Sequence, residues 1–241
     1  MKKHFYAGLM MATGLWLLSA CGGKKGTAID EAEVLHNNQD QLTQIIIYDV
    51  FTPPVSSRIY VYSSLASYEA IRFAKPGTAS ITAKLNGFKP MPEPEKNKSY
   101  NYALAATQAF FTVVHKVVFS LDSLKAYEKA TMDKFRSSMD EETFKRSVAF
   151  GDTIARTVLA RAASDGYALS RGKPKFLGNN DPGQWHPTPP DYLDGVEWCW
   201  NTMKPMALDS AAQFKPARPP KYSTDTNSVF FKEVIDRKSV V

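Results

Sequence analysis

The sequence predicts an all-α protein, a helical bundle crossed by a long proline- and tryptophan-rich irregular strap. Three observations carry this expectation. Apolar residues recur at spacings of three, four and seven through most of residues 29–166, the period of a helix with one buried face. Capping residues and breakers cut that run into helices joined by short loops. Residues 181–208, DPGQWHPTPPDYLDGVEWCWNTMKPMAL, then lose the period while holding three of the four tryptophans and five of the fifteen prolines. Proline lacks an N–H and fixes φ, so this stretch is an ordered strap and not a helix. Two readings of it stand. Trp185, Trp198 and Trp200 are pushed into grooves of the helical body, or the strap is a folded loop that only closes the core.

The chain has 241 residues, 44% hydrophobic and 22% charged, enough for a sizeable core. Residues 1–21 read as a lipoprotein signal peptide outside the fold. Lys2 and Lys3 precede an apolar run at 7–18 that is too short for a permanent membrane span. The run ends in Leu18-Ser19-Ala20-Cys21, which resembles a bacterial lipobox. That resemblance implies cleavage before Cys21 and lipid on its thiol and new amino group; the alternative is a plain signal peptide. Acyl chains contribute about 0.8 kcal/mol per buried CH₂, so several chains anchor firmly. Gly22 and Lys24-Lys25, with no acidic run, imply by resemblance to lipoprotein sorting rules an outer-membrane anchor facing the periplasm. The partner expected on this ground is the membrane.

Cleavage removes Lys2 and Lys3 and lowers the net charge of +6 by two. The remaining basic residues are scattered without interleaved aromatics, which argues against nucleic acid. With Cys21 lipidated, Cys199 is the one free thiol and no internal disulfide forms. Between two tryptophans, Cys199 is most simply a buried small apolar residue.

Residues 22–28 are a flexible tether, and 29–241 form the helical domain. The first helix starts near Ile29 and carries Val34, Leu35, Leu42, Ile45, Ile46 and Val50. Ile45-Ile46-Ile47 alone also fits a short strand. Thr52-Pro53-Pro54 stops this helix and starts the next, since proline is tolerated in a first turn. Residues 54–74 are apolar on nearly every face, which places that helix at the centre of the bundle. Its Arg58, Glu69 and Arg72 then need ion-pair partners or an exit to solvent. A connector follows at 75–98, with room for a short helix at 81–85. Ser99 is a good N-cap for a helix whose face includes Ala103, Leu104, Thr107, Phe111 and Val114. Asp122 caps the next, with Leu124, Tyr127, Thr131 and Phe135 inward. Asp140 caps a third with Phe144, Val148, Gly151, Ala155, Val158 and Ala162 inward and Arg161 off that face. Gly166 suits a left-handed C-terminal stop. Short loops here favour antiparallel neighbours. Regularity is lost until a last short helix at 228–236.

Residue chemistry alone assigns no catalytic, cofactor or metal residue. The histidines after cleavage are His36, His115 and His186, with no i, i+4 pair and no Cys/His cluster to hold zinc. His115 reads as a satisfied structural histidine and His186 as a loop contact. No nucleophile elbow, phosphate loop or dinucleotide fingerprint is present. Glu141-Glu142 sit at a helix N-terminus, where the dipole explains them.

A resemblance goes further. Pro53-Pro54-Val55-Ser56-Ser57-Arg58-Ile59-Tyr60, with Tyr62-Ser63 and Ala66-Ser67-Tyr68-Glu69-Ala70, resembles the first core helices of bacterial vanadium-dependent haloperoxidase-like proteins, of the phosphatidic acid phosphatase type 2 superfamily. Gly166-Tyr167, the run from Gly183 to Pro190, Trp198, Lys204-Pro205 and Leu208 resemble that family's linker to its catalytic half. The resemblance implies half of a haloperoxidase-like helical fold. It also implies a full-length relative in which a Lys, two Arg, a Ser-Gly-His segment and a further His hold vanadate or phosphate. Fixed cations and donors would stabilise the developing oxyanion there. This chain has no Ser-Gly-His, and Lys215 and Arg218 lie too close together in a proline loop, so no family catalytic residue carries over. The expectation is a non-catalytic N-terminal half, truncated or split, with no cofactor of its own. It would self-associate or pair with a missing C-terminal half. A membrane-tethered binding or scaffold lipoprotein is the alternative.

Overall fold

The computed structural model describes residues 29–239. The lipobox with Cys21 and the tether 22–28 lie outside the described residues, as do 240 and 241. Among those described, all regular structure is helical: α1 (Glu31–Tyr48), α2 (Pro53–Ile71), α3 (Tyr102–Val117), α4 (Asp122–Ser138), α5 (Glu141–Ala163), α6 (Tyr167–Arg171) and α7 (Val229–Ser239). Short 3₁₀ turns fall at Arg72–Ala74, Thr82–Lys84 and Trp200–Thr202.

The ends of these helices follow local chemistry. Asp30 caps α1 by accepting from the Glu33 N–H at 3.0 Å. Ile45, Ile46 and Ile47 lie within α1, so the strand alternative falls. Past α1, Asp49 accepts from the N–H groups of Phe119 (2.9 Å) and Ser120 (3.2 Å), which ties this corner to the α3–α4 loop. Pro53 and Pro54 occupy the first turn of α2, as the sequence predicts. The cap of α3 is Asn101, not Ser99: the Asn101 side-chain oxygen accepts from the Leu104 N–H at 2.7 Å. Both residues are good caps, and α3 begins at the nearer one. Asp122 is the first residue of α4 and makes no capping bond; Leu121 precedes it. The Asp122 charge still favours the positive end of the helix. Asp140 caps α5 as expected, accepting from the Thr143 N–H at 2.8 Å. That backbone bond holds the Asp140 carboxyl below the usual carboxylate range.

The centre of the bundle is α3, not α2. Ala103, Leu104, Ala105, Ala106, Ala109, Phe110, Phe111, Val113 and Val114 are all buried, so nearly every face of α3 is covered. Its tightest pairings are with α2 and α5, and α4 lies at the edge. The alanines explain the difference, because small side chains let two helices approach the same core helix closely. Helix α2 keeps an exposed stripe, Ser57, Val61 and Ser64, at spacings of four and three. On α5 the buried face includes Gly151, Ala155, Val158 and Ala162 as predicted, and also Arg161, which the sequence reading placed off it.

Gly166 adopts the left-handed conformation at φ 96°, and a further single turn, α6, follows where no helix was expected. From there to α7 the chain is irregular apart from the 3₁₀ turn at Trp200–Thr202. Two of the three strap tryptophans do not enter grooves of the body. Trp185 and Trp198 are about half exposed, at 47% and 46%. They pack instead on Phe176 within the irregular segment, with ring centroids 5.4 and 5.8 Å away. Trp198 Nε1 donates to the Pro174 carbonyl at 3.1 Å. Only Trp200 reaches the body, edge-on to Tyr167 and packed against the core around Phe110 and Phe111. Cys199 beside it is buried, as expected for a small apolar residue.

Candidate binding site at the strap junction

The strap meets the helical body at a cluster of buried charges. Arg58 and Tyr62 lie four apart on α2 and so share one face. Arg161 comes from the last turn of α5, and Asp165 follows that helix. Asp165 Oδ2 accepts from Arg58 Nε at 2.7 Å and from Tyr62 Oη at 3.0 Å, and its Oδ1 accepts from the Tyr167 N–H at 2.8 Å. Arg58 Nη2 donates to the Ala162 carbonyl at 3.0 Å. Its guanidinium lies over the rings of Tyr62 and Tyr167, at 5.0 and 4.4 Å from their centroids. Burial, and then the adjacent Asp165 charge, push the Tyr62 hydroxyl well above its ordinary range, so it is a permanent donor to that carboxylate.

Arg161 is the clamp on the strap. It is 3% exposed and donates to the carbonyls of Asn86 (2.7 Å), Lys204 (3.0 Å) and Pro205 (3.3 Å), and to Tyr62 Oη (3.3 Å). The backbone adds Lys204 N–H to Asp165 O at 2.9 Å and Asn86 N–H to Met206 O at 2.7 Å. Above this floor opens a cleft of about 410 Å³ between α2 and the strap, walled by Val61, Trp200, Met206, Leu208 and Ala211.

Of the residues singled out in the sequence, Arg58 and Tyr62 of the first motif and Trp200, Lys204, Pro205 and Leu208 of the strap line this cleft, whereas the other charged residues and the histidines lie elsewhere. Arg72 faces Glu69 at 2.9 Å, and the fully buried Glu69 also accepts from Ser80 and Thr82 of the connector. These ion pairs meet the need for partners read from the sequence. His115 pairs with Glu128 at 2.6 Å across α3 and α4, a satisfied structural histidine. His186 is exposed in the strap, and His36 is exposed on α1. Lys215 and Arg218 lie exposed in an irregular loop. Among the described residues no group of three His, Cys, Asp or Glu side chains is placed to hold a metal.

Sequence reading missed Tyr62, Arg161 and Asp165 as a unit. The one available signal was Arg161 beside the apolar Val158 and Ala162, since a buried arginine must find partners. Chemically the cluster does not fit vanadate. Every nitrogen of the Arg161 guanidinium already donates to a protein acceptor, and no histidine lines the cleft to meet the central atom.

Comparison with solved structures finds a strong similarity to the crystal structure of the first bacterial vanadium-dependent iodoperoxidase. Identity is 38% and the TM-score is 0.83, over 90% of this chain and 52% of that one. The chain thus has a haloperoxidase-like helical fold, as the motifs around Pro53 and Gly183 led us to expect, and it spans about half the length of that relative. No protein-family model and no curated protein matches it.

Proposed function

We propose that this chain is the N-terminal, non-catalytic half of a vanadium-dependent haloperoxidase-like protein. The observation that carries this reading is the half-length match to an iodoperoxidase at 38% identity. Holding a multiply charged oxyanion away from water needs several convergent cations and a histidine at its central atom. In this half the buried arginines face Asp165, Glu69 and backbone carbonyls, and no histidine stands beside them in the cleft. The role left to it is structural: a rigid bundle that presents the strap to a catalytic half.

The chain by itself, supplied with vanadate and peroxide, is expected to oxidise neither iodide nor bromide, and to leave a phosphate monoester intact. Dye halogenation and p-nitrophenyl phosphate hydrolysis read this. Turnover in either that disappears in His115→Ala or His186→Ala would overturn the proposal. Downstream DNA that continues into Lys/Arg, Ser-Gly-His and Arg/His motifs would support it.

The lipobox favours a second component of the reading, a protein tethered to the outer membrane and facing the periplasm through lipid on Cys21. Among the described residues no helix is long and apolar enough to cross a membrane. Cys21→Ser is expected to move the protein from the membrane to the soluble fraction and to change its gel mobility. Unchanged partitioning and mobility would rule the anchor out, along with the scaffold-lipoprotein alternative that depends on it.

A further inference from the structure

We infer that the cleft between α2 and the strap binds a small organic anion with an apolar body, a carboxylate or sulfonate carried on an aromatic or branched frame. The walls come first. Val61, Trp200, Met206, Leu208 and Ala211 surround about 410 Å³, within the range of small-ligand sites and too apolar to favour an inorganic ion alone.

The floor sets the charge. Arg58 and Lys204 line the cleft and Arg161 lies directly behind Tyr62, whereas Asp165 is the one carboxylate among the lining residues. Asp165 is shared between Arg58, Tyr62 and the Tyr167 N–H, so it does not balance both arginines. Arg58 is also only partly engaged. Its Nε and Nη2 have protein acceptors, and among the described residues no hydrogen bond donated by Nη1 is seen. The Arg58 side chain is 9% exposed and is held between two tyrosine rings, so its plane is fixed before any ligand arrives. A preorganised, largely buried guanidinium interacts with an anion more strongly than one in bulk water. The ligand's acidic group would meet Arg58 at the floor while its apolar body covers Val61, Trp200 and Met206.

This inference concerns the chain itself and stands whether or not a catalytic half exists. The test is calorimetric titration of the purified chain with 2-naphthoate and with its uncharged isostere, 2-naphthamide. One-to-one binding of naphthoate is expected, with naphthamide at least about tenfold weaker. Ala211→Trp, at an exposed position just past the strap, is expected to abolish saturable binding without shifting the melting temperature. Arg58→Gln is expected to remove the preference for the acid over the amide. Since Arg58→Gln disturbs a buried pair, the two-ligand comparison and Ala211→Trp decide the matter if that variant misfolds. Equal binding of acid and amide, undiminished binding to Ala211→Trp, or no saturable naphthoate binding at millimolar concentration would each overturn the proposal.

Discussion

Asp165→Ala is expected to destabilise the protein by about 3–5 kcal/mol, the usual loss when one partner of a buried ion pair is removed. The Asp165 side chain is 2% exposed and accepts from three donors, Arg58 Nε, Tyr62 Oη and the Tyr167 N–H. Its removal leaves Arg58 buried with only the Ala162 carbonyl, and leaves the Tyr62 hydroxyl without its acceptor. It also loosens the turn that feeds α6, because the Tyr167 N–H loses its partner. The strap should suffer first, since Lys204 is tied to Asp165 through the backbone and Arg161 is held in place partly through Tyr62. Limited proteolysis should therefore cut between residues 173 and 228 under conditions in which the parent chain resists. Asp165→Asn keeps an acceptor for the Tyr167 N–H and should lose less. Urea midpoints at constant slope read the magnitude. A change below about 1 kcal/mol for the alanine variant would mean that the cluster is only peripheral to stability.

How much of this was legible in the sequence depended on whether the partner had a side-chain signature. The period of apolar residues gave α1 through α5, because burial of one helix face writes itself into spacing. Asp140 was legible as a cap, while Ser99 and Asn101 are equivalent in chemistry and differ only in where the helix begins. The rank of α2 and α3 was inverted because hydrophobicity rates valine and tyrosine above alanine. Packing rewards the alanines, whose size lets α2 and α5 reach the central helix. The pairing of Glu69 with Arg72 lies within one turn and was anticipated as a need for partners. The Arg161 clamp was not, since its acceptors are the carbonyls of residues 86, 204 and 205, which any residue types would supply. The tryptophans announced an ordered strap, but Phe176, on which two of them stack, lies before that stretch.

Gly151→Val is expected to cost about 3 kcal/mol or more, and Gly151→Ala less but still in the destabilising direction. Helix propensity pulls the other way, since alanine is favoured over glycine by about 1 kcal/mol in a helix interior. Space decides between the two effects. A Cβ at Gly151 would sit 2.3 Å from the Ala105 carbonyl oxygen and 3.0 Å from Gln108 Cβ. The nearer contact is backbone of the central helix, so no side-chain rotation relieves it, and α3 or α5 must move. Movement is resisted on both sides. Ala105 is fully buried, and Asp152, next in the chain, accepts from Gln108 at 2.9 Å and Thr112 at 2.7 Å across the same crossing. Separating the helices also opens the core built from Ala105, Ala109, Ile154 and Ala155. Urea unfolding of the two variants beside the parent measures the effect. Equal or greater stability of Gly151→Ala would show that the α3–α5 crossing has slack and that propensity prevails there.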